Sequence, residues 1–333
     1  MPYLPTPLQV PAGHAIREVS SFTPQGLLLG TAFDSQAGTG LQYETVTRWS
    51  PNGTCTTLAG RMRNIHGRVV GTDDGLVVLS AAFDHDGLPK PLAIVGGVVR
   101  DLGSAYPGGT VIARMNATGT FVGTTDSGGR KFGFVATLTG MRPVVTPDPS
   151  AESSANIITD DGDVYGTWSP GPGAPRRGFL ERNGVAEDLR EFLLFAVNTA
   201  QLGVGRLSNQ PEFALGTFDL RQRPLAYRPV PLPAGQEFMT GPDLDDAGNV
   251  AAYCWKGSPA ITPYRGFIAS GASSELLDAL LGLPGQLVRV TAVSRGGSLA
   301  GPLGASHYIA HPTAQQQTAA PDPRRSVRTI LRR

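Results

Sequence analysis

The residues of this chain best suited to chemistry are an imidazole between two carboxylates, in Asp84-His85-Asp86-Gly87. Two carboxylates around a histidine can hold a divalent metal ion or transfer protons. The same letters are typical of a tight turn, because an Asp side chain bonds to its own backbone there. Asp84, His85 and Asp86 are therefore candidate catalytic residues, with a plain turn as the alternative. No stronger motif predicts a metal site.

Anion recognition is the second chemistry that the sequence offers. Only three cationic side chains are lysines and the rest are arginines, whose guanidinium forms paired hydrogen bonds to carboxylates and phosphates. Genomic base composition would produce the same bias. The candidate ligand-binding arginines lie in or beside short apolar segments, and they are Arg61, Arg63, Arg114 and Arg206, with Arg289 as a fifth.

Two proline-rich segments carry large aromatic side chains. Trp168 opens the first segment, and the second contains Trp255 and Tyr264. Rigid aromatic side chains on stiff loops make good binding rims because they lose little entropy on contact. Trp168, Trp255 and Tyr264 are therefore candidate binding residues. The alternative is that they cover the hydrophobic core.

Sequence motifs of several large enzyme classes are missing from the 333 residues, among them the nucleophile elbow, the phosphate-binding loop, H-E-x-x-H and paired C-x-x-C. No cofactor is implied. The net charge of +1 gives no overall field toward nucleic acid or a membrane, so neither partner is expected. No long apolar run follows Met1, which favours a cytoplasmic protein, although a removed leader would leave the same sequence. Cys55 and Cys254 are expected to be free thiols.

One motif recurs along the chain: a turn residue, three mostly apolar residues and a closing small residue. Its copies are Gly26–Gly30, Gly67–Gly71, Gly119–Gly123, Gly162–Gly166, Glu212–Gly216, Gly248–Ala252 and Gly297–Gly301. The mean spacing of about 45 residues is that of a four-stranded repeat unit. The first glycine suits a hairpin turn, and the closing glycine is expected to let neighbouring sheets approach closely.

These repeats predict an all-β fold, a seven-bladed β-propeller of four-stranded blades. The apolar spacing in residues 186–202 and the cap-like letters in residues 273–281 predict short helices in the connections of blades four and six. Residues 3–10 are expected to supply the outer strand of the last blade. Residues 1–312 then form one domain, followed by a disordered basic tail over residues 313–333.

One repeat resembles a known family. Asn116-Ala-Thr-Gly119-Thr-Phe-Val-Gly123 is similar to the N-x-x-G-x-x-x-G part of the HAF-type repeats of bacterial propeller-like proteins. Ser306-His-Tyr-Ile309 approximates the H-A-F part, whereas other units have Arg or Lys in place of His. The resemblance covers roughly residues 15–312. It implies a propeller-like fold and carries no catalytic residues.

In a propeller the first strand of each blade lines a central channel, which would bring several of the arginines together. The sequence therefore favours a binding module that recognises a small anionic molecule, a peptide or a protein at the funnel face. A monomer is expected. The alternative is an isomerase, lyase or cyclase that uses Arg for substrate charge and Asp or His for proton transfer. A structural part of a larger assembly is the third possibility.

Overall fold

A computed structural model describes residues 3–34, 43–83, 90–102, 109–171, 173–211, 213–258 and 263–313. These residues form an all-β fold with a single short helix. Asp84, His85 and Asp86 lie outside the described residues, and so does the basic tail from residue 314 onward.

The strands are numbered in chain order. They are β1 Tyr3–Pro7, β2 His14–Phe22, β3 Leu28–Asp34, β4 Glu44–Trp49, β5 Cys55–Gly71, β6 Val77–Phe83, β7 Lys90–Val95, β8 Val98–Asp101, β9 Thr110–Met115, β10 Phe121–Ser127, β11 Arg130–Thr137, β12 Gly140–Pro143, β13 Glu152–Ile158, β14 Val164–Ser169, β15 Arg177–Arg182, β16 Val185–Arg190, β17 Phe192–Val197, β18 Leu202–Leu207, β19 Gly216–Asp219, β20 Arg228–Pro229, β21 Phe238–Leu244, β22 Val250–Trp255, β23 Arg265–Ser270, β24 Ser273–Leu276, β25 Ala292–Val293, β26 Leu299–Leu303 and β27 Ser306–Pro312. The helix α1 is Leu277–Leu280.

Consecutive strands pair antiparallel, as short hairpins require. Three four-stranded sheets consist of β13–β16, β17–β20 and β21–β24, and a fourth has the order β1-β27-β26-β25. Strands β2–β12 form one hydrogen-bonded network. The long strand β5 pairs with β4 along its first half and with β6 along its second, and a parallel bridge between Gly67 and Ile112 connects it to β9. In the fourth sheet Tyr3 lies opposite Pro312, so the first and last strands of the chain are neighbours.

The hairpin between the first and second strand of each meander has a common chemistry. It begins with a small polar residue and has a residue with φ between +60° and +95° three positions later. The first residues are Thr23, Thr72, Asn116, Thr159, Asn198, Asp245 and Ser294, and the positive-φ residues are Gly26, Gly75, Gly119, Gly162, Gln201, Gly248 and Gly297. In all but the second of these described turns, the first side chain accepts a hydrogen bond from the amide four residues on.

The closing glycine of the repeat is needed for a reason other than the predicted one. A Cβ on Gly166 would lie 2.1 Å from the carbonyl oxygen of Ser154, on the first strand of the same sheet. Gly123 and Gly205 meet their own first strands in the same way, at 2.1 and 2.0 Å. The close approach is therefore made by a bulged first strand of the same sheet, and not by a neighbouring sheet.

The sequence predicts that every copy of the repeat is a second strand, and the structure places two copies on a neighbouring strand of the sheet. Gly67–Gly71 lies in β5, a first strand, and the second strand is β6, after the turn that ends at Gly75. The segment 212–216 leads into β19, a third strand, and the second strand of that sheet is β18. The true second strands depart from the motif, because β6 has no glycine at the closing position, and β18 has Gly203 inside the triplet.

The helix predicted in residues 186–202 is absent, because β16 and β17 occupy that segment. Leu193, Leu194 and Ala196 are all buried because β17 has a bulge between Leu194 and Ala196, and the extra residue imitates helical spacing. The second predicted helix is present in shortened form as α1, after the strand β24. It ends before Gly282, which has the positive φ expected of a residue just after a helix.

Apolar side chains fill the layers between neighbouring sheets. In one layer Val122 of β10 packs with Ala155, Val164 and Phe179 of the following sheet. Burial of such apolar layers is the main favourable term in folding. The described part of the chain contains no helix long and apolar enough to cross a membrane. Cys55 and Cys254 are free thiols, as predicted.

Candidate functional site

A cavity of about 550 Å³, here called the arginine cavity, is lined by residues from strands of several different sheets. Its charged residues are Glu18 of β2, Arg68 of β5 and Arg206 of β18. Its apolar wall includes Phe195 of β17 and Tyr253 of β22. The fold therefore brings residues from distant segments of the chain to one cavity.

Strand irregularities decide which side chains reach this cavity. The bulge in β17 turns Phe195 out of the core, and its side chain is 37% exposed although its strand neighbours are buried. The register of β21 shifts between Thr240 and Asp243, which brings Gly241 and Pro242 into the wall. Gly241 has φ +64°, a conformation that favours glycine, and it lies against the ring of Tyr253.

The cations of this region have unused hydrogen-bonding capacity. Arg68 Nη1 is buried without a hydrogen-bond partner, and the nearest carboxylate oxygen, Asp243 Oδ2, is 3.6 Å away. Arg206 forms no ion pair with any described residue. The Nε atom of Arg289 is also buried without a partner, and the positive charge of Arg289 lowers the pKa of His307 in addition to the effect of burial. Buried donors without acceptors are unfavourable unless a ligand or water supplies the acceptor.

Glu18 is a carboxylate that lines the same cavity. Burial raises its pKa above the ordinary value, although Arg68 and Arg17 act in the opposite direction. Its carboxylate makes no hydrogen bond or ion pair with a described residue, and the side chain is exposed where it lines the cavity. Glu18 is thus available to accept a hydrogen bond or a proton from a molecule in the cavity.

Asp243 lies beside the arginine cavity, with its Oδ2 atom 3.6 Å from Nη1 of Arg68. It is 7% exposed and accepts a hydrogen bond of 2.7 Å from Arg114 Nη2. Burial alone would raise the pKa of Asp243, but the charges of Arg114 and Arg68 outweigh it and hold the pKa below the ordinary value. The proximity of Arg114 and burial lower the pKa of Arg68, although Asp243 opposes them. The Asp243 carboxylate is therefore the counter-charge of two guanidinium groups, those of Arg114 and Arg68.

A second cavity of about 320 Å³, here called the turn cavity, is lined by the hairpins that follow the first strands. It contains Arg114 and Asp243 and carries further acidic side chains at Asp160, Asp161 and Asp246. Arg295, from the turn after β25, donates hydrogen bonds of 2.5 and 2.8 Å to Asp160, in the turn after β13. This ion pair connects two sheets that are distant in sequence.

The predicted aromatic rim is a cover for the core. Trp168 is 8% and Trp255 is 1% exposed. Trp255 packs between Phe238, Phe213 and Tyr264, with ring centroids 4.9 to 5.5 Å away. Tyr264 remains 37% exposed at the edge of this group. The tryptophans therefore stabilise the loops and are not available as a binding surface.

The structure does not bring the predicted arginines together in one cavity. Arg206 lines the arginine cavity, whereas Arg114 lines the turn cavity and is neutralised by Asp243. Arg63 lies in β5 and is not in the described lining of either cavity, and the side chain of Arg61 is outside the description. Sequence reasoning missed Arg68 and Glu18. Arg68 stands inside the Gly67–Gly71 motif, which the sequence assigns to a second strand, whereas only first strands are expected to line the channel.

No protein-family model and no curated protein sequence matches this chain. Solved structures do match it. Prolyl oligopeptidase B from Galerina marginata has a TM-score of 0.60 at 9% identity, over 91% of this chain and 50% of that one. The acylaminoacyl peptidase of Pyrococcus horikoshii has a TM-score of 0.57 at 7% identity, over 86% of this chain and 49% of that one. An oligogalacturonate lyase from Vibrio parahaemolyticus has a TM-score of 0.50 at 9% identity, over 92% and 93% of the two chains.

These likenesses show the fold class alone, which is all-β and propeller-like. The chain spans about half the length of the two peptidases that it matches. All three matched proteins are enzymes by name, but an identity below 10% carries no residue roles to this chain. The resemblance to HAF-type repeats stays a prediction.

Proposed function

We propose that the sheets are seven blades of one closed propeller, with β5 serving as the last strand of one blade and the first of the next. Seven buried apolar clusters among the described residues support this arrangement, since each joins two consecutive blades. The closing cluster combines Val19 and Leu28 near the start of the chain with Ala292 and Ile309 near its end. The pairing of β1 with β27 fits the same closure.

We further propose that the chain binds a small organic anion in the arginine cavity. The observation that carries this proposal is that Arg206, which forms no ion pair with a described residue, lines one cavity together with Arg68, whose Nη1 has no hydrogen bond and lies 3.6 Å from Asp243. A carboxylate or phosphate would supply the acceptors that these donors lack, and the surrounding protein would screen the attraction less than water does. The cavity volume is within the range of about 300–1,000 Å³ that small-molecule sites have.

Isothermal titration calorimetry tests this function directly. The titrants are 3-phenylpropionate, citrate and inorganic phosphate, and the variant is Arg206→Gln. The matched control is Arg228→Gln, which removes an exposed arginine from the outermost strand of the same sheet. We expect at least one anion to bind the wild type and the control alike, and Arg206→Gln to weaken it about tenfold, or 1.4 kcal/mol. Equal affinity in all three proteins would contradict the proposal. If none of the three anions binds the wild type, the anion site is wrong and a peptide or protein partner is favoured.

An enzyme that acts on such an anion is the second candidate function. It is favoured by Glu18, whose raised pKa brings its two protonation states closer to neutral pH. The reaction would be an isomerisation or elimination that begins with removal of a proton next to the bound carboxylate. Proton NMR of bound ligands in D₂O tests it, because catalysed exchange removes the signal of that proton. Exchange that is no faster with the wild type than with Glu18→Gln would exclude this role of Glu18.

A further inference from the structure

We propose that the ligand of the arginine cavity is zwitterionic, an α-amino acid with an apolar side chain. This inference rests on the proposed anion-binding function and makes it more specific. Three features of the cavity carry it: a pair of guanidinium groups with free donors, a carboxylate with free acceptors, and an apolar wall.

The two kinds of charge face one cavity without neutralising each other. Glu18 and Arg68 both line it and interact electrostatically, yet no ion pair forms between them. Arg206 forms no ion pair with a described residue, whereas Arg68 is paired with Asp243 at 3.6 Å. Glu18 is exposed where it lines the cavity and Arg68 keeps 32% of its side chain exposed, so water hydrates these groups until a ligand displaces it. Charges held apart in this way match a molecule that carries both signs, with its carboxylate on the arginines and its ammonium on Glu18.

The remaining wall has the chemistry of an apolar side-chain pocket. Phe195 exposes 37% of its surface, and Leu215, Pro242, Tyr253 and Val290 complete this wall. Phe195 is turned toward the cavity by the bulge in β17, so its exposure is built into the backbone. An aromatic or branched aliphatic group placed here would remove this apolar surface from water.

Other anions satisfy fewer of these groups. A simple carboxylic acid with an aromatic ring would fill the arginine and apolar parts but leave Glu18 without a partner. A dicarboxylate would place a second negative charge near Glu18, which is repulsive. A phosphate would reach the arginines and leave the apolar wall empty. The α-amino acid is the smallest common structure that fits all three parts.

Ligand truncation combined with two isosteric variants tests the inference. The ligands are L-phenylalanine, 3-phenylpropionate, which lacks the ammonium group, and 2-phenylethylamine, which lacks the carboxylate. Each is titrated into the wild type, Glu18→Gln and Arg206→Gln. We expect the wild type to bind L-phenylalanine about tenfold more tightly than 3-phenylpropionate, and 2-phenylethylamine least. Glu18→Gln should remove the preference for L-phenylalanine, whereas Arg206→Gln should weaken both carboxylates.

The outcomes separate this inference from the proposed function. If 3-phenylpropionate binds the wild type as tightly as L-phenylalanine or more tightly, the zwitterion is wrong and the anion site stands. If Arg206→Gln leaves both affinities unchanged, the anion site itself is wrong. Circular dichroism and thermal unfolding check that each variant is folded. Should Glu18→Gln fail to fold, Glu18→Asp withdraws the carboxylate by one methylene group and is expected to reduce the same preference.

Discussion

Asp243 is the residue on which the central charges depend, since it accepts a hydrogen bond from Arg114 and lies 3.6 Å from Arg68. Replacing it with Asn leaves two guanidinium groups close together without a counter-charge. We expect Asp243→Asn to lower the free energy of unfolding by about 3 kcal/mol at neutral pH, near the low end for buried pairs because both arginines keep some exposure. Urea denaturation measures it, and Asp219→Asn in an exposed pair serves as the control with a much smaller loss.

The pH dependence of this loss has a definite sign. The pKa of Asp243 is lowered in the folded protein, so its contribution is complete above the pKa of an unfolded Asp and disappears as the pH falls through the folded value. The difference between the wild type and Asp243→Asn should therefore shrink only below about pH 4. A difference that is already gone at pH 6 would show that the carboxylate is not what stabilises the arginines.

Glu18 should behave in the opposite way, because burial raises its pKa. The folded protein takes up a proton here at a higher pH than the unfolded chain does, so the ionised form costs stability at neutral pH. We expect Glu18→Gln to raise the melting temperature slightly at pH 8, and the gain to vanish as the pH falls through the folded pKa of Glu18. Thermal unfolding between pH 8 and 4.5 measures this. A destabilised variant at pH 8 would mean that the attraction to Arg68 dominates.

At the scale of the strand, the closing glycines are required by the bulges in the first strands. A Cβ on Gly166 would lie 2.1 Å from Ser154 O and 2.6 Å from the Phe179 ring, so Ala at this position forces the backbone to move. We expect Gly166→Ala to cost roughly 3 kcal/mol, as strong overpacking does. Gly140→Ala is the matched control in β12, where a Cβ meets open space. Similar urea midpoints for the two variants would contradict the steric argument.

The bulges also explain how far the sequence predicts the site. The sequence predicts the repeat and the all-β class, since turn chemistry and strand length repeat along the chain. It also predicts the free thiols and names Arg206, which lines the arginine cavity. The side chains that face the arginine cavity do not follow, because one extra residue in a strand reverses which side chains point inward. Phe195 and Glu18 lie beside such shifts, and the apolar spacing around Phe195 even imitated a helix.

At the scale of the whole molecule, the proposed closure makes the two ends of the chain depend on each other. Strand β1 pairs with β27, and Leu8 belongs to the apolar cluster that contains Ala300. Removing residues 2–8 would expose the edge of β27 and this apolar cluster. We expect this truncation to lower the melting temperature by at least about 5 °C, and removal of residues 314–333 to leave it unchanged. Equal melting temperatures for the two truncated proteins would contradict closure by the N-terminal strand.

The ion pair between Arg295 and Asp160 has a consequence for the ionic strength at which the protein is handled. It joins the turn after β25 to the turn after β13, two turns that are 135 residues apart in the chain. Both side chains are partly exposed, at 39% and 34%, so dissolved salt screens their attraction. The stabilising effect of this link between distant sheets should therefore decline as the salt concentration rises.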